Sequence, residues 1–168
     1  MKNILFILSL VACSFVTQAQ VNASLQPVDA NDVPAAVISS QATYFPGITV
    51  TVWEKQSASA RSKSTERYVA NFRNNGQKAR AKYTPNGAGT TAITYYSGSK
   101  LPAAIQNAVA TNYAGYTLQS GEEIIALQKS ETYYRLRLRK GAQKLVVYVD
   151  ENGNELSAQQ VPDEVEEA

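Results

Sequence analysis

The chain has 168 residues, with 16 Lys+Arg against 14 Asp+Glu, a net charge of +2, no histidine and one cysteine, Cys13. Once the N-terminal apolar stretch holding Cys13 is removed or lipid-modified, no thiolate nucleophile, imidazole base, Cys/His metal site or intramolecular disulfide is left. A composition of 44% apolar and 18% charged residues excludes both a disordered chain and a membrane-embedded one.

Residues 1–19 read as a signal peptide. Lys2 precedes an apolar run from Ile4 to Ala12, which is short of the roughly 20 residues a spanning helix needs. Thr17 and Ala19 then supply small residues at the −3 and −1 positions before Gln20. Leu10-Val11-Ala12-Cys13 is a competing, lipobox-like site at which Cys13 would become an acylated N-terminus. The two readings give a periplasmic or secreted protein, or a lipoprotein anchored through Cys13. No transmembrane segment is expected in either. Residues 20–31 read as an N-terminal linker.

The rest is organised by an internal repeat, 32–96 and 97–156, followed by an acidic tail, 157–168. Val33-Pro34-Ala35-Ala36-Val37 returns as Leu101-Pro102-Ala103-Ala104-Ile105. Residues 68–87 align without a gap with 134–153, Asn86-Gly87 matching Asn152-Gly153. Each copy begins with a helix. Asp32 precedes the first, Pro34 sits in its first turn and Pro46-Gly47 stops it. In the second, Leu101, Ala104, Ile105, Ala108, Val109, Asn112 and Tyr113 share one face, and Gly115 ends the run. Period-two segments then predict strands over 48–55, 67–73 and 77–83, a short one at 92–96, and strands over 124–129, 133–140 and 144–150. Residues 56–66, rich in Ser, Ala and basic side chains, predict a long hairpin loop that shrinks to about two residues in the second copy. The fold class is α+β: a tandem repeat of helix plus antiparallel strands, helices packed on one face of a shared sheet. Ile105, Val109, Leu136 and Leu138 are expected in the core.

The Pro-Ala-Ala helix opening, its Tyr/Phe-x-Gly close, the strand ending Trp53-Glu54-Lys55 and the strand pairs leading to Asn-Gly resemble the PepSY-like, β-lactamase-inhibitor-like exported proteins of Gram-negative bacteria. The resemblance covers roughly residues 32–156. It implies a tandem helix-plus-sheet fold, export to the envelope and a binding or inhibitory role. The loop at 56–66 and Thr84-Pro85 before Asn86 depart from the commoner pattern.

No catalytic residue, cofactor or metal site is expected. Asp150 to Glu155 has oxygen ligands at short spacing but lacks a full calcium-loop pattern, and a tight Asn-Gly turn accounts for it. Adjacent Glu122 and Glu123 read as a solvated loop. Trp53 and most of the ten tyrosines read as core. The cations say more. With period two, Arg135, Arg137 and Arg139 share one strand face and Leu136 and Leu138 the other, as do Arg80 and Lys82 opposite Ala79 and Ala81. Tyr148 joins that outer face. Residues 150–168 hold seven acids and no base, while 20–149 hold 15 bases and seven acids, a net +8.

These features predict a non-enzymatic exported binding module, inhibitor-like, whose partner-facing residues are Arg80, Lys82, Arg135, Arg137, Arg139 and Tyr148. An envelope-associated structural protein touching anionic polymers or lipid headgroups is the alternative. Solvation of an outer sheet face by arginine remains an open reading of the same residues. A cystatin-like inhibitor would need a Gln-x-Val-x-Gly loop, which is missing. Export disfavours nucleic acid as partner. The acidic tail can fold back over the basic patch.

Overall fold

The computed structural model describes residues 25–58, 65–166 and 168. The leader, Cys13 and the two competing processing sites lie outside the described residues, as does the centre of the 56–66 connection. Eight strands lie in chain order across one antiparallel sheet. They are β1 (Leu25–Val28), β2 (Val50–Gln56), β3 (Arg67–Asn74), β4 (Gln77–Tyr83), β5 (Gly89–Ser97), β6 (Thr117–Ala126), β7 (Glu131–Lys140) and β8 (Gln143–Asp150). With α1 (Ala35–Tyr44), α2 (Ala103–Asn112) and α3 (Asp163–Glu166), the fold is α+β. No helix among the described residues is long and apolar enough to cross a membrane.

Proline and i,i+4 spacing account for the two long helices. Pro34 and Pro102 stand in extended conformation just ahead of the first turns, where a missing N–H leaves no bond unmade. Val37 and Gln41 are the buried positions of α1, Ile105 and Val109 those of α2. Val37 packs with Tyr68, Ala70, Phe72, Ala81 and Tyr83, and Ile105 with Tyr134, Leu136, Leu138 and Val149. Alternation along the strands thus turns one sheet face toward α1 and α2, with Leu136 and Leu138 buried as expected. Gly87 and Gly153 close the two Asn-Gly turns under these helices at φ +88° and +84°. A Cβ on Gly87 would lie 2.6 Å from the Ala36 carbonyl oxygen, and one on Gly153 2.4 Å from the Ala108 Cβ.

Four features depart from the expected pattern. Within the segment read as a linker, Leu25–Val28 adds an edge strand to β2, and Pro27 lies in that edge strand, the place in a sheet where proline is tolerated. The strand expected at 124–129 is β6, which begins at Thr117 and ends at Ala126. Gly121, in the middle of β6, is the point where α2's lead-in presses on the sheet: a Cβ there would meet Leu101 Cδ1 at 2.7 Å. The link from β6 to β7 is residues 127–130, with Ser130 at φ +56°. Finally, α1 and α2 share a face, but α3 lies on the other one.

Candidate functional site

The face opposite α1 and α2 is built in rows by strand register. Tyr95, Glu122, Arg135 and Tyr148 stand side by side across β5 to β8. In the neighbouring row, Arg80 pairs with Ile93, Ile93 with Ile124, and Ile124 with Tyr133. Glu122 is only 5% exposed. One of its oxygens accepts from Arg135 Nε at 2.6 Å and also pairs with that guanidinium's Nη2. The other accepts from Arg137 Nη1 at 2.6 Å. Burial alone would lower the Arg135 pKa, but hydrogen bonds to Tyr148 and Glu122 leave it above its ordinary value. Glu123 points the other way and accepts hydrogen bonds from the Tyr96 and Tyr134 hydroxyls, each at 3.0 Å. The solvated loop expected at Glu122-Glu123 is therefore a central strand, with one carboxylate on each face.

The six residues singled out in the sequence all lie on this face but form two groups. Arg135, Arg137 and Tyr148 gather around Glu122, and Arg139 extends the row to the strand end, where its Nε donates to the Gly141 carbonyl at 2.9 Å. Arg80 and Lys82 lie on β4, three strand spacings or about 14 Å from β7. The Arg80 guanidinium sits over the Tyr95 ring, 5.8 Å from its centre, close enough for a cation–π contact. Beside it a groove of about 340 Å³ runs past Val52, Asn71, Arg73, Lys78 and Tyr95. Val52 is 42% exposed there.

Between the two groups lies the C-terminal segment. Leu156 N–H bonds back to the Tyr148 carbonyl at 2.9 Å along the β8 edge, and the chain then passes to the face opposite α1 and α2. Val165 is fully buried against Ile93 and Ile124, with Tyr95, Tyr133, Tyr148, Val161 and Ala168 around them. Glu164 pairs with Lys129 at 2.6 Å, and the Ala168 main-chain oxygen accepts from Arg135 Nη2 at 3.4 Å. Sequence reasoning missed Glu122, Ile93, Ile124 and Val165 as parts of this surface. Val161 and Val165, four residues apart among acids, were the available signal.

The turn after β8 is closed by its own side chains. Asp150 Oδ1 accepts the Asn152 and Asn154 N–H groups at 2.8 and 2.9 Å, and Oδ2 accepts Asn154 Nδ2 at 2.8 Å. Partial burial would raise the Asp150 pKa, but these bonds hold it below its ordinary value. Among the described residues, no group of three or more His, Cys, Asp or Glu is placed to hold a metal ion.

The architecture defines an α+β protein that offers a broad, basic and aromatic sheet face. Solved structures similar to it include three from Bacteroides species. One is a BLIP-like protein from Bacteroides fragilis (20% identity, TM-score 0.59, 74% of this chain and 84% of that one). The second is a DUF2874 family protein from Bacteroides ovatus (19%, 0.58, 74% and 84%). The third is a Bacteroides eggerthii protein provisionally described as periplasmic (20%, 0.56, 77% and 89%). At such identities the likeness is one of fold. It supports a BLIP-like fold and does not single out PepSY. No family profile matches the sequence, and no curated protein matches it.

Proposed function

We propose that this chain is an exported, non-enzymatic binding module. It is inhibitor-like in occupying its partner rather than converting it, and it meets an acidic protein through the face bearing Arg80, Lys82, Arg135, Arg137, Arg139 and Tyr148. One observation carries the reading: the chain's own acidic C-terminal segment already lies on that face, with Glu164 on Lys129 and Val165 in an apolar socket. Forked guanidiniums suit carboxylates, and tyrosine adds contact area at low entropic cost. The fold likeness to a BLIP-like protein and to one provisionally described as periplasmic supports the binding role and the export. Export through the 1–19 leader, cleaved before Gln20, belongs to the same reading. Intact mass of the exported protein tests it, and a diacylglyceryl adduct on Cys13 is the contrary result. Two diverged copies, 32–96 and 97–156, are part of it too, supported by the matching Asn-Gly turns beneath α1 and α2.

The test is affinity capture from envelope extract by the wild type and by an Arg80→Ala/Lys82→Ala/Arg139→Ala variant, over a salt series. Arg135 is left intact because it neutralises Glu122. Loss of specific proteins in the variant and at high salt is the expected result. Retention of anionic polymer or lipid instead favours an envelope-associated structural role. Equal capture of the same proteins by both chains overturns the reading.

A further inference from the structure

Among the described residues, the C-terminal segment is fixed to the sheet at few points. Pro162 starts α3, and its carbonyl accepts the N–H groups of Val165 and Glu166 at 2.9 and 3.1 Å. That single turn drives Val165 between Ile93 and Ile124, a cluster separate from those under α1 and α2. Among the described residues, its polar contacts beyond its own turn are the exposed Glu164–Lys129 pair, made to the link between β6 and β7, and the long Arg135–Ala168 bond. A groove of about 270 Å³ stays open beside it, lined by Val146, Tyr148, Leu156, Val161 and Glu166. Val146 is 53% exposed there. The helix-side clusters contain no residue of the segment.

We propose that residues 157–168 are a displaceable intramolecular ligand. The socket beneath them takes, from a partner protein, a short acidic segment with one aliphatic side chain carried on a helical turn. The socket is Ile93 and Ile124 ringed by Tyr95, Tyr133 and Tyr148, with Lys129 and Arg135 at its margins. The occupant is identified by the chemistry of the segment that fills the site now: an apolar anchor, Val165, in the middle, a carboxylate, Glu164, on Lys129 and a main-chain oxygen, that of Ala168, on Arg135. Because that segment is tethered, its effective concentration is high, and a partner must outcompete it. The resting protein is therefore masked. This proposal rests on the binding reading above and narrows it to one place.

The experiment uses the full chain, wild type and Val165→Asp, and a fluorescent peptide of residues 157–168 read by anisotropy. Val165→Asp frees the socket without shortening the chain. It is expected to keep the wild-type circular dichroism and to bind the peptide at least tenfold more tightly than the wild type does, with affinity falling as salt rises. A peptide carrying Val165→Asp should bind neither chain. Hydrogen exchange on the wild type gives a second readout that needs no variant: the amides of Val165 and Glu166 should exchange at least tenfold faster than those of Ile93 and Ile124. The proposal is overturned if Val165→Asp loses the cooperatively folded sheet, if the segment is protected as well as β5 and β6, or if the folded variant ignores the peptide. Concentration-dependent dimers that exchange the segment would also overturn it. Failure of the peptide with envelope capture intact removes this socket alone; failure of both removes the wider reading.

Discussion

Glu122 has its carboxylate almost out of water and both oxygens on guanidiniums, with side-chain exposures of 6% for Glu122 and 17% for Arg135. An exposed ion pair is worth about 0–1 kcal/mol, but deleting one member of a buried pair leaves a charge with no compensation, at about 3–5 kcal/mol. Glu122→Ala should therefore lower the urea-unfolding free energy by about 3–5 kcal/mol. Arg139→Ala, exposed and bound to a turn carbonyl, should stay within about 0.5 kcal/mol. A double variant, Glu122→Leu with Arg135→Met, should recover most of the loss, because the one guanidinium left without its acid, Arg137, is 47% exposed and solvated by water. A mild effect of Glu122→Ala would mean that water reaches the carboxylate. The alternating arginines of β7 were legible in the sequence, since period two needs only one strand. Their acidic partner was not: it lies on another strand, next to a glycine whose reason is close packing by Leu101 rather than a turn.

At the scale of elements, the sequence marked both long helices because proline and glycine bound them, and most strands because they alternate. It missed β1, four residues whose order depends on pairing with β2 and not on their own pattern. It left the C-terminal segment as a tail because four of its last six residues are acidic. Burial of Val165 outweighs that local polarity. Val165→Ala removes two buried methyl groups, about 1.5 kcal/mol, and should speed exchange of the Val165 and Glu166 amides by roughly tenfold while sheet amides keep their rates. A pH effect should accompany it. The hydrogen bond from Lys129 holds the Glu164 pKa below its ordinary 4.5. A carboxylate with a depressed folded-state pKa stabilises above the unfolded value and loses that contribution as pH falls through the folded one. Corrected for intrinsic rates, protection of the segment should be flat above pH 4.5 and decline below it, and Lys129→Ala should remove the decline.

On the scale of the molecule, two apolar clusters share one sheet face and a third sits on the other, where Ile93 of β5 meets Ile124 of β6. The two similar stretches of sequence indicated the helix-side clusters; their junction was only partly legible, because the strand expected at 92–96 runs from Gly89 to Ser97 and its pairing with β6 is a contact between the two stretches that no pattern within either one encodes. Buried and half-buried tyrosines tie the clusters to alkaline pH. Burial, with Glu123 nearby, pushes the Tyr96 pKa up to about 12, and Tyr83, Tyr113 and Tyr134 are raised as well, chiefly by burial. A raised folded-state pKa stabilises below the unfolded value, 10.0, and that contribution is lost as pH rises toward the folded one. Stability should fall above pH 10, tyrosinate absorbance rising together with loss of the sheet signal. The junction itself makes the last test. Register pairs run unbroken from Thr91–Ala126 to Ser97–Ser120, so opening one half exposes the pairing edge and the Ile93–Ile124 contact of the other. The sole tryptophan, Trp53, is buried in the cluster under α1 and reports on that half alone. Ile105 belongs to the cluster under α2, and truncating it to alanine should cost about 2–5 kcal/mol. If the halves unfold as one unit, Ile105→Ala lowers the urea midpoint seen by Trp53 fluorescence as far as the one seen by circular dichroism. A Trp53 midpoint that stays at the wild-type value while the dichroism midpoint drops would show that the sheet breaks between β5 and β6.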